Sequence, residues 1–318
     1  MEHWMLERMH HWHVPGLSVA IVQEGHLLQA RAYGAAAADT AEPLRVEHLL
    51  QACSISKTVT SVAVLALVQR GQLDLDEPVT RRLPAWQSGS GEPVTLRWLL
   101  CHQAGLVDPP GGCPTLDVVK VGRELGSKFE YSDGGYLVIQ HLLEAVTGES
   151  FATLVQRLVL EPLGMSSSFF EQPLPPDLSR LAATGHDWTG TALPGRCAVY
   201  PYLAPGGLWT TPTDLTALMI ELMNASQGAG RVLTGDSFST MTTPPKAPYI
   251  GLGIFGGGGR YNHYGWGPGF QSSFTLYPAA GCGAVIMTNG DTGLFQEESL
   301  IGEVLEHLKG MYNWPPAA

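Results

Sequence analysis

Two side chains in the stretch "CSISKTVT", residues 53–60, are spaced to do chemistry together. Ser54 and Lys57 lie three apart, and residues three apart on a helix share a face. If a helix begins at Ser54, Lys57 stands one turn up, within reach of the hydroxyl. The first N–H groups of a helix have no internal partners and favour negative charge beside them. The pair therefore reads as a nucleophile and its activator. A neutral lysine is a base, and burial lowers its pKa toward that form. A lysine that stays charged stabilises an oxyanion or orients the base instead. Ser-x-x-Lys is short enough to arise by chance, and an ordinary helix start with a snorkelling lysine fits it too.

Two later segments supply companions. "YSDGGY" holds Tyr131, Ser132 and Asp133. A tyrosine beside a cation ionises more easily and serves as general acid or base. "NHYGWGPGF" holds His263, Tyr264, Gly265 and Trp266 on an expected strand edge. Glycine at 265 would let a substrate approach the backbone closely. The backbone N–H groups of Trp266 and Ser54 would then form a two-donor oxyanion hole.

These residues need a scaffold. Residues 1–13 read as a short amphipathic helix. "GLSVAIVQEGHLLQARAYG" reads as two strands around a turn at Glu24 and Gly25. A buried helix is expected from Ser54 to Arg70, stopped by Gly71. Further helices are expected at about 95–102, 136–147 and 150–160, and across "TTPTDLTALMIELMNA", capped by Thr211 or Thr213. The runs "YIGLGIFGG", "SSFTLYPA" and "CGAVIMTN" read as strands, and about 295–308 as a final amphipathic helix. "GGGG" at 256–259 reads as a turn, because it precedes a strand instead of opening a helix. Strands occupy both ends of the chain and helices the middle. The expected fold is α/β (α+β): an antiparallel sheet flanked by helices, with a mainly helical region inserted. The sheet domain is expected from 1–50 and 205–318, the helical region from 51–204.

The segments also resemble a known family. "SISK", "YSD" and "HYG" resemble, in order, the Ser-x-x-Lys, Tyr-x-Asn and His-x-Gly or Lys-Thr-Gly motifs of the serine β-lactamase and penicillin-recognising D-Ala-D-Ala carboxypeptidase superfamily. The nearest part is the class C β-lactamase group, which includes the family VIII esterases. "VPGLSVAIVQEGHLLQARAYG", "LRWLLCHQAGL", "EPLGMSSSFF", "PGGLWTTPTDLTALM" and "YGWGPGFQSSFTLYP" are similar to further family segments, so the likeness spans roughly residues 10–308. It implies the β-lactamase/transpeptidase fold and an acyl-enzyme on Ser54, with Lys57 and Tyr131 sharing base and acid roles. It also implies that His263 supplies polarity or positive charge, that the Ser54 and Trp266 amides hold the oxyanion, and that no metal or organic cofactor takes part. His102 in "LLCHQAGL" is implied to bond loop backbone.

One position departs from the pattern. Asp133 stands where the family has asparagine, and an ionised aspartate only accepts hydrogen bonds. Asp133 would disfavour an anionic substrate, favour an amine and raise the Tyr131 pKa. With only His263 and Arg260 near the third motif, neutral or amine-bearing esters and amides fit better than β-lactams. The expected activity is a serine hydrolase of esterase or D-amino-acid peptidase or amidase type, with weak β-lactamase action open. The alternatives are an inactive or regulatory penicillin-binding-like protein and an acyltransferase.

Composition narrows the partners. Of 318 residues, 44% are hydrophobic and 15% charged, which predicts a sizeable core. A net charge of −11 argues against nucleic acid and anionic membranes as partners. No run is long enough to span a bilayer, and no signal peptide is visible, so a small-molecule substrate and a cytoplasmic location are expected. The five cysteines, at 53, 101, 113, 197 and 282, read as free thiols. His10, His11 and His13 read as a surface helix and not a metal site, and Asp214 as a first-turn helix acid. Trp188, Trp209, Tyr200, Tyr202 and Phe270 are candidates for an acyl pocket, and residues 108–114 for its rim.

Overall fold

The computed structural model describes residues 1–40, 42–89, 91–109 and 115–316. Its centre is a seven-stranded sheet, drawn from the two ends of the chain as the strand-like runs predict. The N-terminal part supplies β1 (Gly16–Gln23), β2 (His26–Ala37) and β3 (Glu42–Pro43). After the short pair β4 (Leu50–Gln51) and β5 (Trp209–Thr210), the C-terminal part supplies β6 (Phe255–Gly257), β7 (Arg260–Gly267), β8 (Phe270–Tyr277) and β9 (Cys282–Thr288). The order is β3-β2-β1-β9-β8-β7-β6, with every pairing antiparallel. The first and last long strands thus meet in the middle, with Leu17 opposite Thr288 and Val22 opposite Gly283.

Both faces of the sheet are covered, which explains why β8 and β9 are buried along their whole length. Successive side chains on a strand point to opposite faces. Leu17, Val19, Ile21 and Ile286 pack with Met5 and Met9 of α1 (Glu2–His11), and with residues of the C-terminal helix. Val22, Val285 and Met287 join the larger core on the other face. There α2 (Ser56–Gln69) is buried on every side from Ser56 to Leu67, with hydroxyl residues and Lys57 in its first two turns and apolar residues beyond. It follows a 3₁₀ turn at Cys53–Ile55, so the expected helix start is tightened by one turn. Around it lie α3 (Leu96–Leu100), α4 (Asp133–Thr147), α5 (Phe151–Val155), α6 (Glu161–Leu163) and α7 (Pro176–Ser179).

Then come α8 (Pro212–Ser226), α9 (Gly235–Thr242) and α10 (Leu300–Tyr312). Thr211 caps α8, accepting from the Asp214 amide at 3.1 Å. Asp214 does more than face the dipole: it accepts from the Ser167 amide and the Ser168 hydroxyl, tying a distant loop to the helix start. Helix α4 starts at Asp133, three residues before the expected 136, because Ser132 caps it and offsets the poor propensity of Gly134 and Gly135. The run 249–257 is strand only from Phe255, and the final helix runs from Leu300 to Tyr312 after a 3₁₀ turn. Cys53, Cys101, Cys197 and Cys282 are free; Cys113 and residues 110–114 of the expected rim lie outside the described residues. Among the described residues no helix is long and apolar enough to cross a membrane.

Candidate functional site

Ser54 sits in the 3₁₀ turn that precedes α2, and the chain reaches it through an uncommon conformation. Cys53, directly before it, has φ of 49°, in the left-handed region that a non-glycine residue seldom adopts. Such backbone persists only where its surroundings hold it. Here the clamp is the edge of the sheet. The Ser272 hydroxyl of β8 donates to the Ala52 carbonyl at 2.8 Å. Strand β7 passes so close that a Cβ on Gly265 would lie 2.1 Å from that same oxygen. Glycine 265 is therefore needed for the approach of Ala52. The expectation that it makes room for a substrate is corrected: the protein's own backbone fills that space.

Lys57 stands one turn above Ser54, with its side chain 0% exposed. Its Nζ donates to Ser54 Oγ at 3.1 Å and to the Pro205 carbonyl at 2.7 Å. Asp133 Oδ1 lies 2.6 Å from the same nitrogen, forming an ion pair. The Tyr131 ring centroid is 4.7 Å from it and that of Tyr136 5.6 Å. The hydroxyl, ammonium and phenol, from chain positions 54, 57 and 131, thus converge.

The electrostatics favour one of the two lysine states left open by the sequence. Burial is the largest single influence on Lys57 and lowers its pKa. Asp133 and Tyr131 together outweigh it, and the net direction is up. Lys57 is an ammonium at neutral pH, not the neutral base that burial alone predicts. Burial raises the pKa of Tyr131; Lys57 opposes the rise and Asp133 adds to it.

His263 is 1% exposed. Burial and the nearby Lys57 charge depress its pKa to about 3. Its Nδ1 lies 2.7 Å from the Tyr264 carbonyl, which a neutral ring satisfies by donating from that nitrogen. Of the two implied contributions, polarity or positive charge, a neutral imidazole supplies polarity. His102 is likewise neutral, its pKa driven well down by burial. The Ser132 amide donates to its Nδ1 at 3.2 Å, and its ring stacks on Tyr131 at 4.4 Å. It holds the Tyr131 segment in place, matching the implied loop-bonding role.

Ser54, Tyr131, Asp133, His263 and Trp266 line one cavity of about 500 Å³. Its apolar wall comes from Phe129, Phe255 and Phe295 with the Trp266 indole, and Asp133 is the one charged lining residue among those described. Trp266 is pinned by its Nε1 donating to Asp291 at 2.8 Å and by edge contact with Phe295 at 5.4 Å. The three phenylalanines were not foreseen. Phe129 is two residues before Tyr131, and Phe255 begins the strand paired with β7, so adjacency to the motifs was the available signal.

The expected acyl-pocket aromatics lie elsewhere. Trp209 and Phe270 are core residues in edge contact with each other, because β5 and β8 face inward. Trp188 is exposed. Tyr200 lines a second cavity of about 650 Å³, with Gln140 and Phe169, and Tyr202 packs on the core. Arg260, the nearest arginine, is turned to Tyr264 Oη at 3.4 Å and Glu297 at 4.0 Å.

The family model described as Beta-lactamase matches residues 1–309. Among relatives, the esterase EstB of Burkholderia gladioli is 32% identical over 54% of this chain and 50% of its own length. The putative penicillin-binding protein PbpX of Bacillus subtilis (strain 168) is 25% identical over 69% of this chain and 56% of its own. The chain thus spans about half the length of these curated relatives. Among solved structures, the octameric penicillin-binding protein homologue from Pyrococcus abyssi superposes with a TM-score of 0.81 at 23% identity, covering 97% of this chain and 76% of the other. The D-amino acid amidase from Ochrobactrum anthropi SV3 gives 0.79 at 22%, covering 98% of each chain. At these identities the structural likeness concerns the fold.

Proposed function

Since this chain belongs to the beta-lactamase family, we propose that it is a serine hydrolase that forms an acyl-enzyme on Ser54 from neutral or amine-bearing esters and amides. The observation that carries this reading is the 3.1 Å contact between Lys57 Nζ and Ser54 Oγ at a largely apolar cavity. Ser54 Oγ attacks the substrate carbonyl. The Ser54 and Trp266 amides receive the developing oxyanion, and the Lys57 ammonium lowers its energy electrostatically. Lys57 moves the protons, and the Tyr131 phenol against it orients the ammonium and the serine hydroxyl. The leaving alcohol or amine departs with a proton, and water then releases the acid.

The substrate class follows from the cavity's charge. A carboxylate-bearing substrate needs a cation at the wall. Lys57 is buried and paired, His263 is neutral, and Arg260 faces Glu297. Asp133 shares the Lys57 ion pair but is 37% exposed and lines the cavity, so it accepts from an ammonium group and offers no donor to an anion. The esterase and amidase names among the similar proteins agree with this preference.

The test compares short-chain nitrophenyl esters with nitrocefin and seeks a fluorophosphonate adduct on Ser54 by mass spectrometry. Faster nitrocefin turnover overturns the substrate preference. Absence of both adduct and turnover overturns the hydrolase reading.

A further inference from the structure

An acyl-enzyme on Ser54 requires somewhere for the serine proton to go, and the groups around Ser54 narrow the choice. An ammonium has three N–H bonds. Lys57 Nζ donates to Ser54 Oγ and the Pro205 carbonyl, which leaves its third N–H for Asp133 Oδ1, an ion-pair contact at 2.6 Å that lies off the hydrogen-bond direction. No lone pair faces the serine. Tyr131, although partly exposed, keeps its proton at neutral pH, since desolvation of its hydroxyl and Asp133 outweigh the pull of Lys57. His102 Nδ1 already accepts from the Ser132 amide, and Tyr136 is a buried phenol that donates to the Leu100 carbonyl at 3.1 Å. His263 donates from Nδ1 to the Tyr264 carbonyl; its Nε2 has no hydrogen-bond partner and makes no bond to Ser54 or Lys57.

One base in direct contact with Lys57 remains: the Asp133 carboxylate. It is the first residue of α4, and its position is fixed from behind by a second carboxylate. Asp108 accepts from the Asp133 amide at 2.6 Å and from the Ser132 hydroxyl at 2.6 Å. The Asp133 side chain is 37% exposed and lines the cavity, while its Oδ1 rests on Lys57.

We propose that Asp133 is the terminal acceptor of the Ser54 proton, with Lys57 as the carrier between them. The inference rests on the acyl-enzyme reading above. As Ser54 Oγ bonds to the carbonyl carbon, the carbonyl π pair moves onto oxygen. Lys57 passes one N–H proton to Asp133 Oδ1 and takes the serine proton on Nζ. The ammonium is restored, Asp133 becomes a neutral acid, and the negative charge has moved from Asp133 to the oxyanion. On collapse the C=O reforms and the bond to the leaving group breaks. The proton held by Asp133 returns through Lys57 to the leaving oxygen or nitrogen. Water retraces the path in deacylation. The site therefore needs no neutral lysine at the start of the cycle, and Asp133 acts on the serine through Lys57.

The test is the pH profile of kcat/KM for a neutral nitrophenyl ester with the wild type, Asp133→Asn and Asp133→Glu, alongside fluorophosphonate labelling of Ser54. In Asp133→Asn the only route left is a lysine that has lost its proton to solvent. Its acid limb is expected to move to higher pH by more than about one unit, with a loss of roughly 30-fold or more at pH 6 that shrinks to within about threefold at pH 9.5. Asp133→Glu is expected to keep the wild-type limb. An unmoved limb in Asp133→Asn, or an equal loss at every pH, overturns the relay. If Asp133→Asn does not fold, an acid limb displaced to higher pH in Asp133→Glu overturns it. No Ser54 adduct in the wild type defeats the acyl-enzyme reading itself, which separates the two failures.

Discussion

The two faces of the central sheet use burial differently. On one, Met5, Met9, Leu17, Val19, Ile21, Leu305 and Leu308 close α1 and α10 onto the strands with apolar contact dominating. On the other, a lysine, two histidines and several hydroxyl groups are buried as deeply as leucines. Most of these polar groups carry a specific partner, although Nε2 of both histidines has none. Thr58 donates to the Gly253 carbonyl, Thr60 to Ser56 and Ala204, and Ser61 to Lys57. Burying a polar group without a partner costs free energy, so a network that satisfies them fixes one arrangement. The terminal helices hold the sheet together. The opposite face gives up some apolar adhesion to hold a charge beside Ser54.

That contrast can be broken in order of effect. Ser54→Ala should cut ester turnover by roughly 10⁴-fold or more while leaving the melting temperature near the wild-type value; steady-state kinetics and a thermal melt read both. Lys57→Ala and Tyr131→Phe should each lower kcat/KM by roughly a hundredfold or more. Near-normal rates in Lys57→Ala would remove it from the mechanism. On the opposite face, Leu308→Ala should cost about 2 kcal/mol or more of stability by denaturant unfolding and leave kcat unchanged. A large fall in kcat there would show that the faces are coupled.

A further effect is expected on pH-dependent stability. The folded pKa of His263 lies near 3, below its ordinary 6.5. Between those values the unfolded chain binds the proton and the folded chain does not. His263 therefore contributes a loss of stability as pH falls from about 6.5 toward 3, and none above. Thermal melts of the wild type and His263→Gln across that window should show a shallower acid slope in the variant. Parallel slopes would mean that His263 titrates normally and that its surroundings are wetter than its burial implies.

Much of this was legible in the residues. The nearly uncharged run and the stop at Gly71 located α2, and the turn at Glu24 and Gly25 located β1 and β2. Ser54 and Lys57 were legible because a three-residue spacing on a helix is a local distance, and Tyr131 because it stands in the family-like segment "YSD". Their convergence was not local, and neither was the environment of His263, whose charge depends on burial and on a lysine two hundred residues away. The role of Gly265 was misread for the same reason, since nothing in "HYG" shows that the Ala52 carbonyl lies against it. The aromatic wall was missed because Phe129, Phe255 and Phe295 belong to three separate segments.

By itself the sequence determined which elements form, which family's motifs they carry, and that an aspartate stands where an asparagine is expected. Only the tertiary structure decided that this aspartate reaches the lysine, so that the lysine is a cation. The physical reason is that element formation depends on neighbours along the chain, whereas a protonation state depends on desolvation and on charges brought close by folding.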